Sequence, residues 1–336
     1  MQDLEALRKR KPAFYPDHTL YAEYACAAFD LVFEDLDGGT GLVFSITSAT
    51  GSQCFAGGRC SLFPQNTATA ATLAADKYFA GRIMDRAGLP TLGGDYFFLH
   101  ERHKAHRPPG HERVDAFAYL DALGGSAFAK PLHGSRGDFA QPVEGAAALA
   151  CYLDEVGRFY DSVLLQSRVR GDEYRVFVLD DDVLYAARKT PPVIEGDGIR
   201  TIAELIAART AELRSHGISP AVADHLPVDD ASTVLPPGTR YAIAGRMNRS
   251  AGGVMTFSDP PNREATFDLA RRGVKALGLR AAAIDLFVNV GGDPAAMRVI
   301  EVNANPSIRF LEDINRPDLI LQIWRHTLTA IGLLRV

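Results

Sequence analysis

The apolar and polar positions fall into two periods along the chain. Helical spacing appears from residue 66 to 88, where Leu73, Phe79, Ile83 and Ala87 share a face, Asn66 is the expected N-cap, and Gly88 and Pro90 supply the stop. It recurs over 145–156 and again after Asp259-Pro260-Pro261, ending near Gly278. The last such stretch opens at Pro317 and turns Ile320, Ile323, Trp324 and Leu328 inward. A further helix follows Gly196-Asp197-Gly198, opened by a capping box in which Glu204 lies three residues after Thr201. β-rich runs occupy 41–47 and 53–56 around a turn at 49–52, then 96–99, 127–130 and 163–169. Two hairpins are predicted. One joins 174–179 to 183–188 through Asp180-Asp181-Asp182, and the other joins 282–290 to 297–303 around Gly291-Gly292-Asp293-Pro294. Hairpins mixed with separate helices, without an internal repeat, predict an α+β (mixed α/β) fold and not a doubly wound parallel sheet.

Composition narrows the function. The 336 residues are 47% hydrophobic and 23% charged, as in an ordinary globular chain of two or three lobes. The net charge of −5, from 36 basic and 41 acidic residues without a basic cluster, argues against a nucleic-acid partner. No apolar run approaches the ~20 residues that span a bilayer. The charged start Met1-Gln2-Asp3-Leu4-Glu5 has no signal core behind it, so a cytoplasmic location is expected and a membrane is not. Cys26, Cys54, Cys60 and Cys151 have neither a CxxC pair nor a disulfide-framework spacing and read as reduced thiols, Cys54 and Cys60 being packed rather than bonded.

The strongest chemistry lies in the second hairpin. Side chains alternate along a strand, so Glu301 and Asn303 share a face, and folding the hairpin sets Asp285 beside them. Three oxygen donors, two of them anionic, make a site for a hard cation such as magnesium, with manganese as a substitute. A solvated hairpin edge would not need a carboxylate inside the apolar run Val299-Ile300-Glu301-Val302. Lys130 ends a strand and runs into the loop His133-Gly134-Ser135-Arg136-Gly137, whose glycines allow backbone N–H groups to close over phosphates, although the motif is not a Walker A sequence. Arg175, Arg188, Arg246, Arg249 and Arg309 are candidates for carboxylate or phosphate recognition. The run Asn248–Gly253 after Arg246 could present donors to an oxyanion. His100, His103, His106 and His111 lack partners spaced for zinc and read as a polar loop. No Ser-His-Asp or Cys-His pattern is specific enough to argue for a nucleophile.

In this order the pieces resemble the ATP-grasp superfamily of ligases, nearest the branch of cyanophycin synthetase and the ligase domain of bifunctional glutathione synthetase. The likeness rests on 71–77 before Ala87-Gly88-Leu89-Pro90, on 129–137, on Gly171-Asp172-Glu173-Tyr174-Arg175, on 196–206, on 248–253, and on 299–307 with Asn303-Ala304-Asn305-Pro306. The resemblance implies an ATP-grasp fold with a leader lobe at 1–65, a linker helix and lid at 66–165, and a metal-bearing lobe at 166–336. It implies that Lys77 and Lys130 contact ATP phosphates under the 133–139 loop, and that Gln166, Ser167 and Val169 line the adenine pocket with Glu173 near ribose or substrate. Asp285, Glu301 and Asn303 would hold magnesium, while Arg175, Arg188 and Asn305 would contact the transferred phosphoryl group or the acyl substrate. The implied reaction joins a small-molecule carboxylate to an amine, both expected to be amino acids, and a homodimer is implied with it. A ligase for a peptide or protein terminus and a non-catalytic ATP-binding module are the rivals. The chain departs from the pattern in its short leader, in lacking the second domains of those relatives, in Gln166 where Glu is common, and in Ala244 where an arginine is expected with Arg246 nearby.

Overall fold

The structure, a computed structural model, describes residues 3–57, 62–134, 137–215, 231–243 and 253–335. Its strands are β1 Val32–Asp35, β2 Val43–Ser48, β3 Gly51–Ala56, β4 Asp95–Phe98, β5 Ser126–Pro131, β6 Gln141–Glu144, β7 Ser162–Gln166, β8 Asp172–Leu179, β9 Asp182–Thr190, β10 Val193–Glu195, β11 Arg240–Ala242, β12 Val254–Phe257, β13 Ala281–Val288 and β14 Arg298–Asn303. They form sheets in the orders β1-β2-β3, β4-β7-β5-β6, β10-β11 and β12-β9-β8-β13-β14. Every ladder among the described residues is antiparallel, and the parallel contact is an isolated bridge between Thr91 and Val299. The fold is therefore the α+β architecture read from the hairpins.

Strand alternation divides the five-stranded sheet into two faces. Tyr174, Val176, Val178, Ala186, Ile284, Leu286 and Val302 pack with Phe267, Ala270 and Val274 of the helix Arg263–Ala276. On the opposite face Phe177, Tyr185, Ala187 and Ala283 share a core with the leader residues Leu20, Tyr21, Phe44 and Phe63 and with Ile320, Ile323 and Trp324 of the helix Pro317–Ala330. The four-stranded sheet has its own core, in which Phe97, Ala127, Ala129 and Leu165 meet Leu120 of the helix Arg113–Ala122 and Leu149 and Leu153 of the helix Gly145–Val156.

Several predicted elements differ from those found. The single helix expected over 66–88 is two, Ala68–Ala75 and Lys77–Arg86. Thr67 Oγ1 accepts from the Ala70 N–H at 3.1 Å, and Asp76, in extended conformation, accepts from the Phe79 N–H at 2.9 Å. Each of these side chains starts a helix at its own position, and the second cap breaks the run. Phe79 is consequently 51% exposed instead of inward. The helix Asp17–Phe29 escapes periodicity because it is buried nearly all round, from Leu20 through Cys26. The capping box forms as read, Glu204 Oε2 accepting from the Thr201 N–H at 2.8 Å and Thr201 Oγ1 from the Glu204 N–H at 3.3 Å. Pro317 stands at the first turn of its helix. Cys26 is a buried thiol, Cys54 and Cys151 are exposed ones, and Cys60 lies outside the described residues, as does much of the Pro-rich stretch 219–238.

Candidate functional site

Beyond the aromatic core, the same face of the five-stranded sheet carries a block of charge. Arg175 lies opposite Asp285, which lies opposite Glu301, and in the next row Lys189 lies opposite Glu173. Asp285, 1% exposed, accepts from Arg175 Nε at 2.8 Å through Oδ1 and from Arg175 Nη2 at 2.7 Å through Oδ2. Lys189 Nζ donates to Asp285 Oδ2 at 3.4 Å and, more closely, to Glu173 Oε1. Burial alone would raise the Asp285 carboxyl, but Arg175 and Lys189 outweigh it and hold it at about 2. Burial likewise works against the Lys189 ammonium, and Asp285 and Glu173 overcome it and raise its pKa. For Glu173 burial prevails, and its carboxyl stays above the usual range despite Lys189.

The four-stranded sheet and the helices before it offer groups of a different kind. Lys130, at the end of β5 and 5% exposed, makes no hydrogen bond or ion pair among the described residues. Burial depresses its ammonium to about 8, with Glu301 pulling upward and Lys77 downward. Gln166, at the end of β7, donates from Nε2 to Gly93 O at 2.7 Å, while its buried Oε1 has no partner. Lys77 begins the helix after the break at Asp76 and donates to Leu132 O at 3.2 Å and to Gly134 O at 2.6 Å. Its ammonium therefore also holds the glycine loop. Gly134 is required by closeness, since a Cβ there would stand 2.9 Å from Pro131 Cβ. Gly137 is required by its φ of 71°. His133 is exposed, with Nε2 at 3.6 Å from Asp76 Oδ2. Ser167 is exposed and Val169 half-buried in the segment after β7.

Other candidates fall differently. Arg188 donates from Nη2 to Asp172 Oδ1 at 2.5 Å and sits on the face opposite to Arg175, because it pairs with Tyr174. The cation of β9 that joins the charged block is Lys189, which the sequence reading passed over. The cause is a bulge. From the turn, Leu179 pairs with Asp182 and Val178 with Val183, but Phe177 pairs with Tyr185, leaving Leu184 extra. An unbulged hairpin would have set residue 188 opposite Glu173, and the extra residue moves that place to 189. Asn305 is exposed, and its Oδ1 accepts from the Leu62 N–H at 3.3 Å. Arg309 is tied to Asp17 at 2.9 Å and Asp313 at 3.1 Å, in a network that binds the leader helix to the C-terminal segment. Ser135, Arg136, Arg246, Arg249 and the 244–252 run lie outside the described residues. Among the loop histidines, His111 Nδ1 lies 2.9 Å from Tyr96 O, and no three His, Cys, Asp or Glu side chains among the described residues group closely enough to hold a metal by themselves.

A divalent ion would thus draw on Asn303 as well as on carboxylates. Asn303 Nδ2 lies 3.4 Å from Glu301 Oε1, which puts the two side chains together, and Glu301 faces Asp285 across the ladder. Glu301 makes no ion pair among the described residues. The donor set is all oxygen once the amide of Asn303 presents its carbonyl, which suits a hard ion, while Asp285 would share its carboxylate with Arg175. Lys77, Lys130, Arg175 and Lys189 are set among Asp76, Glu173, Asp285 and Glu301, four cations among four carboxylates.

Comparison with solved structures identifies the architecture. The bifunctional glutathione synthetase from Pasteurella multocida superposes with a TM-score of 0.52 at 18% identity, covering 88% of this chain and 40% of that one. The D-alanine–D-alanine ligase from Bacillus anthracis superposes with a TM-score of 0.50 at 15% identity, covering 79% and 70%. The fold is the ATP-grasp fold. Curated relatives of this chain include the cyanophycin synthetase of Trichormus variabilis, 27% identical over 259 residues that cover 70% of this chain and 27% of that protein. The glutathione biosynthesis bifunctional protein of Mannheimia succiniciproducens is 28% identical over 201 residues, covering 55% and 25%. The chain thus spans about a quarter of the length of the curated relatives it matches. No family model matches it. No helix among its described residues is long and apolar enough to cross a membrane.

Proposed function

We propose that this chain is an ADP-forming ligase that activates a substrate carboxylate with ATP and joins it to an amine, each supplied by an amino acid. The observation that carries the reading is the pair of unsatisfied groups on the lid. A buried ammonium at Lys130 and a buried amide oxygen at Gln166 each lack a partner, and both end strands of the same sheet. A buried polar group without a partner is unfavourable unless a ligand supplies one. A nucleotide supplies both, its phosphates to Lys130 and its adenine amino group to Gln166 Oε1. The three-lobe division at 1–65, 66–165 and 166–336 belongs to the same proposal.

In this reading Lys130 and Lys77 neutralise the phosphates, and the 133–139 loop covers them and excludes water. Asp285, Glu301 and Asn303 hold magnesium, which when bound screens the phosphate charge. Arg175 and Lys189, already oriented by Asp285 and Glu173, attract the substrate carboxylate. One of its oxygens bonds to the γ-phosphorus of ATP as ADP leaves, giving an acyl phosphate. The amine nitrogen then bonds to the acyl carbon, the acyl C–O bond breaks, and phosphate departs carrying the proton that the nitrogen loses.

The test offers a panel of carboxylic acids with ATP, magnesium and hydroxylamine. The expected result is hydroxamate with stoichiometric ADP for at least one acid, and no hydroxamate from any amino acid or small peptide would sink the reading. Glu301→Gln should lower that turnover at least 100-fold while leaving the melting temperature within a few degrees.

A further inference from the structure

β14 carries Glu301 and Asn303 yet is the outermost strand of its sheet, laddered on one side only, by β13. A single ladder is weak restraint for a strand that must hold two side chains in place. Its start is held by the Val299 N–H, which donates to Pro90 O at 2.8 Å beside the Thr91 bridge. At its end the ladder stops at the pair Ala283–Asn303, and the two chains part. Asn66 stands where the next rung would be. Its Nδ2 donates to Ala281 O at 2.7 Å and to Ala304 O at 3.3 Å, and its Oδ1 accepts from the Arg280 N–H at 2.8 Å and the Ala281 N–H at 3.0 Å. The side chain is 7% exposed, and both its donors and its acceptor oxygen are in use. This is the residue expected to cap a helix; Thr67 does that instead and frees Asn66 for the hairpin.

We infer that Asn66 is a positioning residue for the metal-bearing hairpin: by bridging the ends of β13 and β14 it keeps Glu301 opposite Asp285 and Asn303 beside them. The inference rests on the ligase reading, in that it takes the hairpin to hold a divalent ion. Asn66 touches none of the three ligands. Its effect passes through Ala304, the residue after Asn303, and through Ala281, which lies on the strand of Asp285. Removing its amide takes the acceptor from the buried Ala281 N–H and the part-buried Arg280 N–H, takes the donor from the Ala281 and Ala304 carbonyls, and opens the rung next to Asn303. The ligands then lose their preset spacing, and a site of few protein ligands depends on that spacing for affinity.

The experiment measures Mn2+ binding to the full chain in the presence of ADP by water-proton relaxation, together with ADP binding in EDTA and thermal melting. Asn66→Ala is expected to weaken Mn2+ at least tenfold while metal-free ADP affinity stays within twofold. Asn66→Ser, which keeps one short polar group, should fall between it and the wild type, and it carries the test alone if Asn66→Ala does not fold. A lower melting temperature with unchanged Mn2+ affinity overturns the inference and leaves Asn66 a plain structural clamp. A wild-type chain that takes up no Mn2+ overturns the ligase reading itself, so the two failures are told apart.

Discussion

The five-stranded and four-stranded sheets handle buried charge in opposite ways. On the five-stranded sheet every described cation of the block has an anion beside it: Arg175 holds Asp285 with two hydrogen bonds, and Lys189 bridges Glu173 and Asp285. On the four-stranded sheet, Lys130 and Gln166 Oε1 are buried and unmatched among the described residues. On the first sheet the cations are matched within the chain, and Glu301 is the carboxylate left without an ion pair among the described residues. On the second, an ammonium and an amide oxygen are buried with nothing among those residues to meet them. Under the proposed function the first arrangement keeps its geometry without a nucleotide, while the second gains stability from binding one.

Breaking the charged block of the five-stranded sheet should produce the largest effect. Arg175→Met leaves Asp285 buried with only the longer contact to Lys189, and loss of one partner of a buried pair costs about 3 kcal/mol or more. The expected outcome is a fall in unfolding free energy of that size in urea titrations. Replacing both partners, Arg175→Met with Asp285→Leu, should recover most of it, because the desolvated charge is gone as well. If the single variant proves as stable as the wild type, the block is not held by its ion pairs and the contrast with the four-stranded sheet fails.

The four-stranded sheet should respond with the opposite sign. The folded chain releases the Lys130 proton at about 8, while the ordinary value is 10.5. Between those pH values the unfolded state binds the proton that the folded state has lost, so stability rises with pH through the window. Below pH 8 the charged ammonium costs a constant amount, about 3 kcal/mol at ~1.4 kcal/mol per pKa step. Lys130→Met should therefore raise stability at pH 7 and abolish its rise between pH 8 and 10, while weakening ATP about 100-fold, ~2.7 kcal/mol. In the wild type ATP affinity should decline above pH 8, since the bound phosphates favour the protonated form, and the variant should show no such slope. Calorimetry at pH 7 and 9.5 reads both, and equal slopes in the two proteins would assign the decline to another group.

How far the sequence could be read follows from the same physics. Alternation along a strand needs no knowledge of neighbours, so Glu301 and Asn303 were legible as one face and Asp285 as their partner. The cap at Thr201 and the helix 145–156 depend on residues within one turn, and they were legible too. The two-helix break at Asp76 was hidden because a cap and a helix-interior aspartate look alike until the chain direction is known. The leader helix Asp17–Phe29 was hidden because full burial erases amphipathic period. Lys189 was hidden by a single inserted residue, Leu184, since parity across a hairpin is a property of the ladder and not of either strand.

That parity gives the smallest and most discriminating prediction. Arg188 and Lys189 are adjacent cations, and sequence alone offers no reason to separate them. In the fold Arg188 is 47% exposed and pairs with Asp172 on the helix-bearing face, a contact worth no more than about 1 kcal/mol. Arg188→Ala should therefore shift stability by less than about 1 kcal/mol and leave turnover within about threefold. Lys189→Met removes a buried partner of both Glu173 and Asp285 and should lower turnover at least 100-fold in the hydroxamate assay. Deleting Leu184 would close the bulge yet leave Lys189 opposite Glu173, because the residue removed is the unpaired one. In that background Lys189→Met should remain the severe change and Arg188→Ala the mild one. If the order of the two effects inverts, the ladder is not what selects the residue, and the charged block draws its second cation by some feature other than strand parity.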